Sequence, residues 1–85
     1  MDNQHTARFV IEKENKVVRQ VVAEVYEALK EKGYDPVNQL VGYIMSGDPT
    51  YITSHNNARS MIRRIDRDEI LEEFVRFYLR SCDKQ

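Results

Sequence analysis

The sequence predicts an all-α fold: a small helical domain of about four helices with a flexible N-terminal tail, forming a homodimer. Three observations predict it. Apolar residues recur at helical spacing in four segments. All three glycines and both prolines fall between residues 33 and 49, where they separate one helix from the next. The first and last of these segments carry more apolar surface than neighbours in so small a domain can cover.

Residues 1–14 show no helical period and are predicted to form the flexible tail, with residues 15–82 as the helical domain. The first helix is predicted from about Lys16 to Lys32, with Asn15 as its N-terminal cap. Its apolar residues fill roughly half of the helix circumference. They are Val17, Val18, Val21, Val22, Val25, Tyr26, Ala28 and Leu29.

The second helix is predicted from about Pro36 to Ser46. Asp35 can cap its start while Pro36 needs no N–H there, and Gly47 suits the left-handed residue after its end. The helix is almost uncharged, which predicts a central position. Its apolar residues are Val37, Leu40, Val41, Ile44 and Met45.

Asp48-Pro49 then begins a turn over 48–54, with Tyr51 and Ile52 expected to anchor it in the core. A short third helix is predicted over 56–65, with Ala58, Met61, Ile62 and Ile65 facing inward. A fourth helix is predicted over 67–81, where Asp66 and Glu69 have the spacing of a capping box.

The apolar residues of the fourth helix span roughly 200° of its circumference. They are Ile70, Leu71, Phe74, Val75, Phe77, Tyr78 and Leu79. A symmetric homodimer would cover this surface, and the alternative is a compact monomer of four helices. A chain of 85 residues is also near the size at which one core barely offsets the entropy of folding, which favours the dimer.

The net charge of −1 gives no overall attraction to nucleic acid or to an anionic membrane, so any electrostatic function must be local. Cys82 is the only cysteine, which excludes an intrachain disulfide and a cysteine-based metal site. The N-terminus lacks a signal-peptide pattern, and no apolar run is long enough to span a membrane. We therefore expect a cytoplasmic protein.

Residues for catalysis are scarce. His5 and His55 are the only histidines, and neither has a nucleophile or an acid at a spacing typical of a catalytic set. The acids Asp48, Asp66, Asp68 and Glu69 could form a metal or acid–base cluster, but capping explains most of them more simply. We expect no enzyme, no metal site and no cofactor.

The basic residues are more informative. His55, Arg59, Arg63 and Arg67 recur every four residues, so a helix running through them would align them, with Arg64 alongside. Guanidinium groups match the oxygens of phosphates and carboxylates. Three interpretations stay open: a docking surface for a phosphorylated or acidic partner, a solvated face neutralised by acids of the fourth helix, and a nucleic-acid-binding module that uses Arg59 and Arg63.

Thr6 is the other candidate, because a kinase can bind a flexible tail in extended form. Phosphorylation would add about −1.5 to −2 charges at that position. A threonine in a tail is by itself weak support for a modification site.

Three segments give the chain a resemblance to a known family. They are EKGYDPVNQLVGYIMSGDPTYI, HNNARSMIRR and RDEILEEFVRFYL. Together they resemble the IreB/ReoM family of small regulatory phosphoproteins of Gram-positive bacteria, over nearly the whole chain. The resemblance implies an all-helical homodimer that is a substrate of the membrane-bound Ser/Thr kinase with extracellular PASTA repeats.

The resemblance also implies a function and its residues. Family members regulate cell-wall synthesis and antibiotic tolerance, in part of the family by controlling Clp-protease turnover of the enzyme that commits precursors to peptidoglycan. Thr6, in Thr6-Ala7-Arg8-Phe9, matches the family's phosphorylated threonine, and Arg59 and Arg63 match its basic segment. The expected partners are a second copy, the kinase, and a Clp protease component or its substrate.

Overall fold

The computed structural model describes the backbone of residues 2–83 and the side chains of residues 16–83. This part of the chain is helical and contains no strand, so the all-α prediction is confirmed. Two single-turn 3-10 helices, Pro49–Tyr51 and His55–Asn57, follow the second α-helix. The α-helices are α1 (Asp2–Glu31), α2 (Pro36–Ser46), α3 (Ala58–Ile62) and α4 (Arg67–Asp83).

Helix α1 begins at Asp2, well before the predicted start at about Lys16, so the predicted cap Asn15 lies inside the helix. Residues 2–32 contain neither Gly nor Pro, and nothing in their composition ends a helix there. The apolar period therefore did not locate the start of the helix. That residues 1–14 are mobile stays a prediction.

The core is centred on one stripe of α1. Val18, Val25, Ala28 and Leu29 are buried on it, at spacings that place them on one helical face. Val17 and Tyr26 were predicted on the same face but are exposed, so the buried face is narrower than predicted. The remaining buried apolar residues are Tyr43, Ile52, Ala58, Ile62, Ile65 and Ile70.

Helix α2 was predicted to be central, but it lies at the edge of the core. Its one buried side chain is Tyr43, while Val37 and Met45 are 69% and 78% exposed. The apolar residues predicted on α2 share one side of the helix, and α1 and α4 cover that side only in part. An uncharged helix is therefore not always an enclosed one.

The predicted helix boundaries around α2 are confirmed. The Asp35 carboxylate accepts from the backbone N–H of Val37 at 3.0 Å, and Pro36 occupies the first helical position. Gly33 and Gly47, after the ends of α1 and α2, adopt φ of 81° and 75°. Asp48 caps the next turn by accepting from the Thr50 N–H at 2.9 Å.

The predicted third helix over 56–65 is wrong in extent. Asn56 and Asn57 have φ of 53° and 62°, so they separate the short 3-10 helix from the five-residue α3. Asn is one of the few residues other than Gly that adopts this left-handed conformation at low cost. Ala58 and Ile62 are nevertheless buried as predicted.

Helix α4 has two apolar sides. Ile70 is buried and Phe74 half-buried on the side facing α1. Leu71, Val75 and Tyr78, which we call the outer stripe, are exposed at successive spacings of four and three residues. This agrees with the expectation that α4 carries more apolar surface than its neighbours cover. None of the helices described is long and apolar enough to cross a membrane.

Candidate functional site

The five basic residues do not lie on one helix, so the predicted single stripe is wrong. His55 begins the second 3-10 helix, Arg59 lies in α3, Arg63 and Arg64 follow α3, and Arg67 begins α4. The left-handed Asn residues before α3 and the turn after it interrupt the helical spacing. The side chains of the five basic residues consequently differ in what they contact.

Arg59 has an intrachain role. Its Nε–H donates to the carbonyl oxygen of Ile52 at 2.8 Å, and its side chain is half-buried. Hydrogen bonds from the Thr50 hydroxyl and N–H hold the pKa of Asp48 below its ordinary value, and the nearby Arg59 charge lowers it further. Arg59 thus fixes the segment between α2 and α3 against the core.

Arg67 and His55 also make intrachain contacts. The Arg67 Nη1 donates to the Ile44 carbonyl oxygen at 3.0 Å, so it binds the last turn of α2. The guanidinium lies against Gly47, where an added Cβ would come within 2.8 Å of its Cζ. His55 Nε2 lies 2.7 Å from Glu31 Oε1, which links the second 3-10 helix to the end of α1.

Arg63 and Arg64 differ from the other three basic residues. Both are exposed, and their side chains make no hydrogen bond or ion pair with the described side chains or backbone. The acids expected to neutralise this face are Glu69, Glu72 and Glu73 of α4. Two of them are paired elsewhere: Glu72 with Arg76 at 3.1 Å, and Glu73 with Arg19. This arrangement weakens the solvated-face interpretation for these two arginines.

The nucleic-acid interpretation loses its geometric basis. It required the third helix to act as a recognition helix, but α3 has only five residues and the Arg59 side chain binds the protein's own backbone.

The Thr6 side chain lies outside the described side chains, so its role as the phosphorylation site remains a proposal. In the backbone, Thr6 falls within the first turns of α1. Among the described residues, no group of three or more His, Cys, Asp or Glu side chains could hold a metal ion.

A second site, a groove between α1, α2 and α4, was missed from the sequence. It is open to solvent and its volume is about 910 Å³. Its walls are mainly apolar, and it is also lined by the Arg19–Glu73 pair. The sequence does carry a signal for it: Glu73 lies three residues after Ile70 and four before Phe77, which places a charge on the inward face of α4.

Comparison with known proteins agrees with the resemblance. The IreB regulatory phosphoprotein family matches residues 4–80. A UPF0297 protein of Acetivibrio thermocellus is 58% identical over 83 residues, covering 96% of this chain and 92% of the relative. A UPF0297 protein of Ruminiclostridium cellulolyticum is 60% identical over 74 residues, covering 87% and 83% of the two chains.

A third relative, a UPF0297 protein of Lachnoclostridium phytofermentans, is 59% identical over 76 residues, covering 88% of this chain and 86% of its own. The family match covers nearly the whole chain and therefore includes all four α-helices in part or in full. The chain belongs to the IreB regulatory phosphoprotein family.

Proposed function

We propose that this protein is a non-catalytic regulator that a PASTA-type Ser/Thr kinase phosphorylates on Thr6. It controls the synthesis of peptidoglycan precursors in the cytoplasm through regulated Clp-protease turnover of a biosynthetic enzyme. Membership of a regulatory phosphoprotein family supports this proposal. The observation that carries the mechanism is the pair of exposed arginines, Arg63 and Arg64, without intrachain partners in the described part of the chain.

The proposed mechanism places two ligands in competition for one surface. In the unphosphorylated protein, Arg63 and Arg64 bind carboxylates of the partner, which is a Clp component or its substrate. Arg59 and Arg67 hold the surrounding backbone and contribute their remaining N–H groups and charge, and His55 links this region to Glu31 of α1. When Thr6 carries a phosphate, the phosphate binds the same guanidinium groups and masks them, because arginine pairs strongly with phosphate oxygens.

We further propose that the protein acts as a homodimer formed through the outer stripe of α4. Leu71, Val75 and Tyr78 are spaced as in a helix seam, and Tyr78 is 68% exposed. Two copies of such a convex stripe can pack against each other about a twofold axis.

The experiment that tests the proposed switch is intact-mass analysis after incubation with the PASTA-type kinase and ATP. Wild type should gain one phosphate, Thr6→Ala none, and Thr6→Ser one, because serine restores the hydroxyl acceptor. No phosphate on wild type, or a phosphate that persists on Thr6→Ala, would remove Thr6 from the mechanism.

The experiment that tests the surface uses a double variant that carries Arg63→Ala and Arg64→Ala in one chain. Arg76→Ala is its control. Arg76 is also an exposed arginine but pairs with Glu72 on α4. The double variant should lose regulation of the biosynthetic enzyme's abundance in cells while keeping its helix content and its dimer. Normal regulation by the double variant would show that these arginines are only solvated.

A further inference from the structure

The groove between α1, α2 and α4 has the size and the walls of a site for an apolar ligand. Tyr26 of α1, Val37 and Val41 of α2, and Phe77 of α4 line it, and each of these side chains is more than 40% exposed. Its volume of about 910 Å³ lies within the roughly 300–1,000 Å³ typical of small-molecule sites, which are also mainly apolar. The arginines of the proposed partner surface do not line it.

The groove adjoins a basic surface through Arg19. This side chain lines both the groove and a second cavity of about 400 Å³ between α1 and α4, which we call the basic depression. The other residues that line the basic depression are Arg76, Leu79, Arg80 and Asp83. An exposed apolar surface and a set of guanidinium groups are therefore contiguous.

The ion pairs of the basic depression leave one positive charge in excess. Arg19 and Arg80 share a single carboxylate, because Glu73 Oε2 pairs with Arg19 and lies 3.8 Å from Arg80 Nη2. The Glu73 side chain is only 5% exposed, whereas those of Arg19 and Arg80 are 47% and 53% exposed. The two guanidinium groups thus present far more surface to a ligand than the carboxylate does. Arg76 is balanced by Glu72.

Asp83 also lines the basic depression but does not cancel this excess. It is exposed near the end of α4 and forms no ion pair with another described residue. Water and salt screen an exposed charge much more than a partly buried one. Asp83 therefore weakens the attraction for an anion at Arg19 and Arg80 without removing it.

We propose that the groove and the basic depression together bind a long-chain fatty acid, with its alkyl chain in the groove and its carboxylate on Arg19 and Arg80. The alkyl chain covers the exposed apolar walls, and guanidinium N–H groups donate to the carboxylate oxygens. A carboxylate carries one negative charge, which matches the excess charge better than the roughly −1.5 to −2 of a phosphate monoester. This binding is a property additional to the regulatory switch, since it involves neither Thr6 nor the partner surface.

Other occupants fit the two surfaces less well. A small polar anion leaves the apolar walls in water, and a cationic amphiphile meets the like charges of Arg19 and Arg80. A second copy of this chain can cover the walls through a reciprocal twofold contact. Such a contact is distinguished from fatty acid binding by the molar mass of the protein in solution.

Three ligands separate the contribution of the alkyl chain from that of the charge. Dodecanoate carries the alkyl chain and a carboxylate, dodecyltrimethylammonium carries the same alkyl chain and a positive charge, and acetate carries the carboxylate alone. Isothermal titration calorimetry measures their binding to the full-length protein, below the micelle concentration of each amphiphile. We expect dodecanoate to bind about tenfold more tightly than dodecyltrimethylammonium, because only the carboxylate gains charged hydrogen bonds. Acetate should show no binding.

Variants of the full-length protein locate the two ends of the ligand. Arg80→Gln should weaken dodecanoate binding about tenfold, whereas Arg63→Gln, which removes the same charge elsewhere, should leave it unchanged. Val41→Glu places a charge in the groove and should abolish binding. Val75→Glu, at a similarly exposed valine of the outer stripe, should bind dodecanoate as wild type does.

Four binding results would overturn the proposal: no binding of dodecanoate to wild type, equal or tighter binding of dodecyltrimethylammonium, equal effects of Arg80→Gln and Arg63→Gln, or equal effects of Val41→Glu and Val75→Glu.

Light scattering tests the second copy as occupant. The molar mass of Val41→Glu should equal that of wild type, and a lower mass would identify a second copy in the groove and overturn the proposal. None of these readouts depends on the kinase, so a failure of fatty acid binding can be told apart from a failure of Thr6 phosphorylation.

Discussion

The Nε–H of Arg59 donates a hydrogen bond to the backbone carbonyl oxygen of Ile52, with 2.8 Å between the nitrogen and the oxygen. Ile52 is fully buried, so this bond satisfies an acceptor that water cannot reach. Of the two arginines that the resemblance predicted for partner binding, Arg59 therefore holds the fold, while Arg63 is exposed to solvent.

This difference predicts unequal effects on stability. Arg59→Ala should lower the free energy of unfolding by about 1–3 kcal/mol, because it leaves a buried carbonyl unpaired. Arg63→Ala should change the free energy of unfolding by less than about 0.5 kcal/mol. Urea unfolding followed by circular dichroism at fixed protein concentration measures both. Equal effects of the two substitutions would contradict the assignment of Arg59 to a structural role.

A matched pair of glycines tests the position of Arg67. Gly33→Ala should cost about 1–2 kcal/mol for its left-handed backbone alone, since nothing lies within 4 Å of the added Cβ. Gly47→Ala should cost about 1 kcal/mol more, because its Cβ would displace the Arg67 guanidinium from the Ile44 carbonyl. Thermal unfolding of the two variants gives the difference, and equal melting temperatures would show that Arg67 adds nothing.

The contact between Gly42 and Tyr51 can be measured with a double-mutant cycle. A Cβ at Gly42 would lie 2.4 Å from a Tyr51 ring carbon, so the ring must move. Gly42→Ala should destabilise the wild type but stabilise Tyr51→Ala by about 0.5–1 kcal/mol, the usual gain of Ala over Gly in a helix. The two effects should be coupled by about 1 kcal/mol or more. Additive effects would exclude the close contact.

The Asp48 cap predicts a difference in acid stability. Its pKa in the folded chain is lowered from 3.8, first by the Thr50 hydroxyl and N–H. The ionised carboxylate therefore stabilises the fold at pH values above 3.8, and this contribution is lost as the pH falls through the lower pKa of the folded chain. Asp48→Asn keeps a capping oxygen but does not titrate.

The free energy of unfolding of wild type should consequently fall more steeply than that of Asp48→Asn between about pH 5 and pH 2. Chemical unfolding at several pH values in this range provides the comparison. Parallel curves for the two proteins would mean that the Thr50 hydrogen bonds do not favour the charged form.

The sequence predicted those features that depend on local chemistry. Asp35, Gly33 and Gly47 mark helix ends as expected, because capping and left-handed turns are decided by residues close along the chain. The start of α1 was not predictable in this way, because the residues before Lys16 lack both an apolar period and a helix-breaking residue.

Features that depend on tertiary packing were harder to predict. The spacing of His55, Arg59, Arg63 and Arg67 indicated one helical face. Left-handed Asn56 and Asn57 separate His55 from Arg59, and the turn after α3 separates Arg63 from Arg67. The edge position of α2 likewise depends on where α1 and α4 lie.

The groove could be anticipated only from Glu73. A carboxylate at an inward-facing position of α4 signals either a buried ion pair or a binding site. Its pairing with Arg19, 54 positions earlier in the chain, depends on how α1 and α4 pack.

The measurement that tests the account most directly is nuclear magnetic resonance of the full chain before and after phosphorylation of Thr6. The account predicts that the Nε–Hε resonances of Arg63 and Arg64 shift when the phosphate is added. Arg76, which pairs with Glu72, should not move and serves as the reference. Unchanged Arg63 and Arg64 resonances in a chain that carries the phosphate on Thr6 would contradict the masking mechanism.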